Sequence, residues 1–244
     1  MVEVIELTKE FKAVKAVDKV SFDVKPGEIV GLLGENGAGK TTTLRMLATM
    51  LKPTSGTAKI NGCDIIHESS MVRGEIGILF GGEVGLYDRL TARENIKYFA
   101  QLNGMEKEKC EEQINKLVKI FGMEEYVDRR VGKFSRGMKQ KVAIARSIVH
   151  DPKVMLFDEP TAGLDISASK IIQDFILQCK KENKAIIFSS HMMNEVEKLC
   201  DRVVIINKGK VVEQGTVQGL KEKYNNHDIE SIFSELIGGE AKNE

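Results

Sequence analysis

No long apolar run occurs in this sequence of 244 residues. A membrane-spanning helix needs about 20 mostly apolar residues, and stretches such as Ile76–Gly82 stop well short of that. That argues against a transmembrane subunit. Net charge is missing too, because 36 lysines and arginines meet 36 aspartates and glutamates. A dedicated nucleic-acid binder usually carries a basic excess, so no nucleic-acid partner is expected. The four cysteines, Cys63, Cys110, Cys179 and Cys200, are scattered and form no CxxC pair. Their spacing argues against a zinc site or a disulfide framework and for buried free thiols. The segment Met1–Glu10 carries acids where a signal peptide needs a basic and then an apolar region, so a cytosolic chain is expected. Internal repeats, low-complexity segments and long heptad stretches are absent as well. What is present is a 42% hydrophobic, 30% charged composition, which is that of a globular protein and too apolar for dominant disorder.

The first third reads as strands and turns. Val2–Leu7 and Val17–Val24 carry β-branched residues in near alternation, and Glu28–Leu33 is a short apolar strand. Thr57–Ile60 leads into the turn pair Asn61-Gly62. The region from about Thr91 to His150 reads as helical. Thr91 and Glu94 have capping-box spacing, and Met105–Phe121 places Ile114, Leu117, Val118 and Phe121 on one face. A further helix is expected to end near Asp151-Pro152. From Lys153 onward strands alternate with helices: Val154–Phe157, Ser167–Lys181, Ala185–Phe188, Met192–Leu199 and Val203–Ile206, then Val211–Glu213 after a turn. Such alternation predicts a parallel α/β sheet. The tail, Gly238–Glu244, is polar and is expected to fray.

The strongest local signal is Gly34-Glu35-Asn36-Gly37-Ala38-Gly39-Lys40-Thr41. It fits G-x-x-x-x-G-K-[ST], directly follows the strand Glu28–Leu33, and opens a helical stretch over Thr42–Met50. Glycines allow successive backbone N–H groups to converge on phosphate oxygens, and the helix amino terminus adds the positive end of its dipole. Lys40 is then placed for the β- and γ-phosphates, the Thr41 hydroxyl for Mg²⁺, and Thr42 for the α-phosphate side. The second signal is Lys153–Glu159, in which four apolar residues are followed by two acids. In a parallel sheet the carboxyl end of a strand borders the ligand crevice. Asp158 is therefore the expected Mg²⁺ acid and Glu159 the residue that polarises the attacking water.

Three further motifs follow in order. Ser135-Arg136-Gly137-Met138-Lys139-Gln140 precedes Asp158; Asp158-Glu159-Pro160-Thr161-Ala162-Gly163-Leu164-Asp165 continues from the strand; and Ser189-Ser190-His191 ends the next strand. Together with the phosphate loop, this set resembles the nucleotide-binding subunit of ABC transporters over about residues 2–220. The resemblance implies an α/β P-loop NTPase with a mixed sheet core, an N-terminal antiparallel β subdomain and a helical signature subdomain. It implies a single nucleotide-binding domain over residues 1–237. The core would span about 1–88 and 151–220, the helical subdomain about 89–150, and a C-terminal extension about 221–244.

Residue by residue, the resemblance places Phe11 where the family stacks an aromatic on adenine. The family's L-S-G-G-Q signature reads Phe134-Ser135-Arg136-Gly137-Met138 here. Ser135 and Gly137 match it and would bind the γ-phosphate of an ATP held by the opposite subunit, while Arg136 and Met138 depart from it. Asp165 matches the aspartate at the dimer interface, and His191 the histidine that contacts the γ-phosphate. Plainer readings stand beside these: sheet packing for Phe11, a helix cap for Ser135, a surface cap for His191. The family also places a glutamine that contacts magnesium and water near Gly82. This chain has none, and Glu83 or a water is the candidate substitute.

The implied function is an ATP-binding and ATP-hydrolysing subunit, with ATP and Mg²⁺ as cofactors, powering an exporter of the sodium-extruding type. Its partners would be separate transmembrane permease subunits and a second copy of itself in an ATP sandwich. It would be cytoplasmic and peripheral on the cytoplasmic face of the membrane. The alternative is a soluble ATPase of the same family acting as a regulatory or nucleic-acid-associated clamp. A P-loop GTPase is disfavoured, because Asn183-Lys184-Ala185-Ile186 lacks the aspartate of N-K-x-D.

Overall fold

The computed structural model describes residues 1–80, 85–225 and 228–238. In chain order the first elements are β1 (Val2–Phe11), β2 (Val14–Val24), β3 (Ile29–Leu33), α1 (Lys40–Leu47), β4 (Ser55–Ile60), β5 (Cys63–Asp64), α2 (Ser69–Glu75) and β6 (Ile76–Leu79). Three helices follow: α3 (Ala92–Leu102), α4 (Lys107–Phe121) and α5 (Arg136–Ile148). The chain then alternates through β7 (Val154–Asp158), α6 (Ile166–Lys181), β8 (Ala185–Ser189), α7 (Met193–Leu199), β9 (Arg202–Asn207) and β10 (Lys210–Thr216), and closes with α8 (Val217–Lys223) and α9 (Ile229–Gly238).

Two sheets form. One is antiparallel, in the order β2-β1-β4-β5; the other has six strands in the order β10-β9-β3-β8-β7-β6. In the larger sheet β9, β3, β8, β7 and β6 are parallel, and β10 pairs antiparallel to β9 at the edge. The mixed sheet core implied by the resemblance is present; the parallel sheet expected from the strand–helix alternation holds for five strands, and β10 adds an antiparallel edge. The antiparallel edge arises because β9 and β10 are joined by the tight turn at Lys208 and Gly209, both with positive φ.

The interior strands of this sheet are buried on both faces, which explains their unbroken apolar runs. Alternate residues serve different cores. Ile29, Leu33, Met155, Phe157, Ile186 and Phe188 pack beneath the helices α3 to α6. Val30, Leu32, Val154, Leu156 and Ile187 pack against the antiparallel sheet and α1. The helices that sit on the first core are well formed. Thr91 and Glu94 make the expected reciprocal capping box, and Ile114, Leu117, Val118 and Phe121 are buried on α4.

Several expectations need correction. β1 runs on to Phe11 because its hairpin pairing continues to Phe11 opposite Val14. The helix expected over Thr42–Met50 starts at Lys40 and stops at Leu47. α5 ends at Ile148 instead of near Asp151-Pro152; Asp151 takes a left-handed φ of 57° just before the proline. Helix α2 and strand β6 were not expected, and neither were α8 and α9 toward the carboxyl terminus. Of the tail expected to fray, Gly238 closes α9 and residues 239–244 lie outside the described residues.

Candidate active site

The carboxyl ends of β3, β7 and β8 lie side by side, with Asp158 opposite Ser189 and Leu32 opposite Ser189 in register. The phosphate loop leaves β3 at this edge. Gly34 must be bare, because a Cβ there would sit 2.4 Å from the carbonyl oxygen of Ile206. Gly39 caps α1 with a φ of 112°, and a Cβ on it would lie 2.5 Å from the Ala16 carbonyl oxygen. The loop is thus pressed between β9 and the β2 segment, and α1 starts directly at Lys40 with its amino terminus toward the crevice.

Lys40 is buried, and its Nζ donates to the carbonyls of Gly34 at 2.6 Å and Glu35 at 3.0 Å. Burial holds its ammonium below the usual lysine range, and the nearby charges of Glu159 and Asp158 offset only part of that shift. The Thr41 hydroxyl donates to Asp158 Oδ2 at 2.7 Å, and the Ser189 hydroxyl donates to Asp158 Oδ1 at 2.6 Å. Both oxygens of this carboxylate, which is only 6% exposed, are therefore held in place.

Glu159 has a φ of 48°, an unusual conformation for a non-glycine residue, and such outliers cluster at functional sites. Its N–H is anchored on Ser189, at 3.2 Å from the carbonyl oxygen and 3.1 Å from Oγ. The kink turns its side chain toward the exposed His191, whose Nδ1 lies 3.3 Å from Glu159 Oε1. Lys40, Thr41, Thr42, Asp158 and Glu159 line one cavity of about 440 Å³, together with Asn36, Gly37, Gly39, Ala162 and two residues of α5, Arg136 and Gln140. A neighbouring cavity of about 570 Å³ is lined by Gly34, Glu35, Asn36, Glu159, His191 and Phe233.

Five expected site residues line neither cavity: Phe11, Ser135, Gly137, Asp165 and, within the phosphate loop itself, Ala38. Ser135 and Asp165 cap α5 and α6, accepting from Met138 N–H at 3.3 Å and Ala168 N–H at 2.8 Å. Gly137 sits between the two helix starts; a Cβ on it would be 3.3 Å from Ala168 Cβ and 3.7 Å from Asp165 Oδ2. Phe11 is 47% exposed at the β1 hairpin, with Lys9 Nζ 5.2 Å from its ring centre. Gly82 and Glu83 lie outside the described residues. Ala38 is buried within the phosphate loop, its N–H donating to Glu35 at 3.1 Å.

The description of the ABC transporter family matches residues 17–162 of this sequence. NatA of Bacillus subtilis, an ABC transporter ATP-binding protein, is 52% identical over 229 residues, 93% of each chain. The chain belongs to the ABC transporter family. Other relatives in that family include BcrA of Bacillus licheniformis, a bacitracin transport ATP-binding protein. It is 40% identical over 91% of this chain and 72% of that protein. Among solved structures, an ATP-binding subunit of an ABC transporter superposes with a TM-score of 0.90 at 28% identity, covering 97% of this chain and 99% of that one. A dimeric ATP-binding cassette in a post-hydrolysis state with ADP and Pi gives 0.81 at 25% identity, covering 89% and 99%. The fold is thus that of an ABC ATP-binding cassette, and this ABC ATPase binds and hydrolyses ATP. Among the described residues, no helix is long and apolar enough to cross a membrane.

The motif reading passed over several residues of the site. The hydroxyl of Ser189 on Asp158 could have been sought as the polar residue ending an otherwise apolar strand. Gln140, which donates to the Pro160 carbonyl at 2.7 Å, sat inside a quoted motif without a role. Phe233 arrives from α9, far away in sequence, and no local pattern marks it.

Proposed function

We propose that this chain is the Mg²⁺-dependent motor of a sodium-extruding exporter, working as a head-to-tail pair of copies beneath separate permease subunits. In this reading the chain is peripheral on the cytoplasmic face of the membrane. The observation that carries the catalytic part is the direct contact between Thr41 and Asp158 beside the Glu159–His191 pair. Two hard oxygen donors that already touch across the phosphate loop are a donor set suited to Mg²⁺. Thr41 and Asp158 would hold the ion, which would neutralise charge on the β- and γ-phosphates.

The protein's own groups divide the remaining work. Backbone N–H groups of residues 37–42 and the α1 terminus bind the phosphates, with Lys40 exchanging its loop carbonyls for phosphate oxygens. Glu159, its backbone kinked and anchored on Ser189, accepts a proton from the attacking water. His191 orients that carboxylate and reaches the γ-phosphate. Phe11 stacks on the adenine. Ser135, Gly137 and Asp165 stand outside the phosphate cavity at two adjacent helix starts, as an arrangement that completes a second copy's site would require. The domain division is read the same way, with the signature helix α5 carried by the helical subdomain.

The similarity to NatA, an ABC transporter ATP-binding protein, supports a transport-powering role; export and sodium as the cargo rest on the motif resemblance described above. The decisive measurement on the isolated chain is turnover with and without Mg²⁺, alongside Glu159→Gln. Mg²⁺-dependent ATPase activity is expected in the unchanged chain. The variant should lose it by about 10²- to 10⁴-fold, the usual worth of a positioned base, and should still bind ATP and pair. Normal turnover in Glu159→Gln would refute the base. For the cargo, the chain is reconstituted with its permease in vesicles, and ATP-driven movement of radiolabelled sodium is expected.

A further inference from the structure

The ABC motifs leave one buried acid without a use. Glu195, on α7, is 3% exposed, and no cation pairs with it among the described residues. Its oxygens accept three hydrogen bonds. Thr161 Oγ1 donates to Oε2 at 2.8 Å, Ser190 Oγ donates to the same oxygen at 3.1 Å, and Gln173 Nε2 on α6 donates to Oε1 at 2.9 Å. The three bonds come from three different segments of the chain. Thr161 and Ser190 are themselves buried.

The position of these donors matters more than their number. Thr161 lies two residues beyond Glu159, on the loop leaving β7. Ser190 immediately precedes His191, on the loop leaving β8, and its Oγ also accepts from the Met192 N–H at 3.0 Å. A single carboxylate oxygen therefore joins the two loops that carry the Glu159–His191 contact. No other side chain among the described residues bonds to both Thr161 and Ser190. The third bond fixes this clamp to α6, the helix whose cap is Asp165.

We propose that Glu195 is a positioning residue for ATP hydrolysis, setting the register of Glu159 and His191 by tying their loops through one oxygen. It touches neither nucleotide nor water, and it acts through the pair. This rests on the reading of Glu159 and His191 given above. Because buried hydrogen-bond networks are rigid when fully satisfied, loss of the clamp should misplace the pair without emptying the phosphate site. Small displacements of catalytic groups cost rate steeply.

The test is a double-mutant cycle on the full-length chain. Glu195→Gln keeps size and can still hydrogen-bond, and it is made both alone and with His191→Ala. ATP affinity is measured by titration calorimetry, melting by calorimetry, and kcat and KM by phosphate release. Alone, Glu195→Gln is expected to lower kcat about tenfold, with ATP affinity within about twofold of the unchanged chain. On the His191→Ala background it is expected to cost less than about twofold, because the contact it positions is already gone. A merely structural role would give the same loss on both backgrounds, and that result overturns the proposal. So does an unchanged kcat in Glu195→Gln. If that variant fails to fold, Ser190→Ala takes its place in the same cycle, because it removes one arm of the clamp and leaves Thr161 and Gln173 bonded. Absence of Mg²⁺-dependent turnover in the unchanged chain would refute the catalytic reading itself, and is distinct from either failure of the cycle.

Discussion

Two lysines are almost equally buried at opposite ends of the same sheet: Lys40 is 6% exposed and Lys184 is 8% exposed. Lys184, just before β8, donates to Asp151 Oδ1 at 2.6 Å and to the Pro152 carbonyl at 2.8 Å. Lys40, at the carboxyl ends of the strands, donates only to carbonyls of its own loop and opens onto the phosphate cavity. The first cation has its counter-charge and closes the amino end of the sheet. The second bonds only to loop carbonyls, with the carboxylates of Asp158 and Glu159 near but not bonded to it, so its donors can be exchanged for an anion that arrives later. Burial by itself does not separate a staple from a binding group; what the charge faces does.

The largest effect should come from breaking this contrast. Lys40→Met is expected to weaken ATP binding by about 100-fold, equal to a charge-assisted bond of about 3 kcal/mol, with no loss of melting temperature. Lys184→Met should do the reverse. It is expected to leave the Pro152 carbonyl unpaired, lower stability by about 1–3 kcal/mol, and leave ATP affinity unchanged. Calorimetric titration and thermal melting of both variants decide the matter. Equal losses of affinity would erase the distinction.

Next in size is the difference between the half-site inside the cavity and the half-site at the helix starts. Ser135→Ala should lower turnover about tenfold, the worth of one hydrogen bond of about 1.4 kcal/mol, without changing ATP affinity. Mixed with Lys40→Met, it should give turnover above the average of the two variants, because a mixed pair related by two-fold symmetry holds one intact site. Activity that stays at the average would show that Ser135 serves its own chain. Smaller again is Phe11→Ala, expected to cost about fivefold in ATP affinity, or about 1 kcal/mol, at the low end of base stacking. An unchanged affinity would return Phe11 to sheet packing.

The comparison also explains how much the sequence disclosed. That Lys40, Thr41, Asp158 and Glu159 would meet at one cavity was legible because each lies in a short motif of fixed residue types that directly follows an apolar strand. Lys184 carried no such signal, because its partners Asp151 and Pro152 reach it from another segment. The same applies to Glu195, whose three donors come from three separate elements. The fold was legible where burial on both faces produced continuous apolar strands, as in β7 and β8. It was illegible in α2, β6 and α9. Only one α2 side chain, Val72, is buried, and α9 buries Ile229 and Ile232 against elements far away in sequence.

The remaining effect belongs to the amino end of the sheet, leaves ATP binding alone and has a definite sign. His150 Nε2 donates to the Ile76 carbonyl at 3.1 Å, while its Nδ1 is buried without a partner. Burial is the main cause that lowers its pKa below 6.5. The unfolded chain therefore takes up a proton below about pH 6.5 that the folded chain resists, and the uptake favours unfolding. Stability contributed by neutral His150 is complete above pH 6.5 and is lost as pH falls, at up to about 1.4 kcal/mol per pH unit until the folded pKa is reached. His150→Gln removes the titration, so the fall in denaturant-measured stability between pH 7 and pH 5 should be shallower in the variant. Turnover at pH 7 should not change, because the residue sits at the amino end of the sheet, against Ile76, and does not line the phosphate cavity. A pH-dependence identical to that of the unchanged chain would mean that the imidazole takes its proton as easily folded as unfolded.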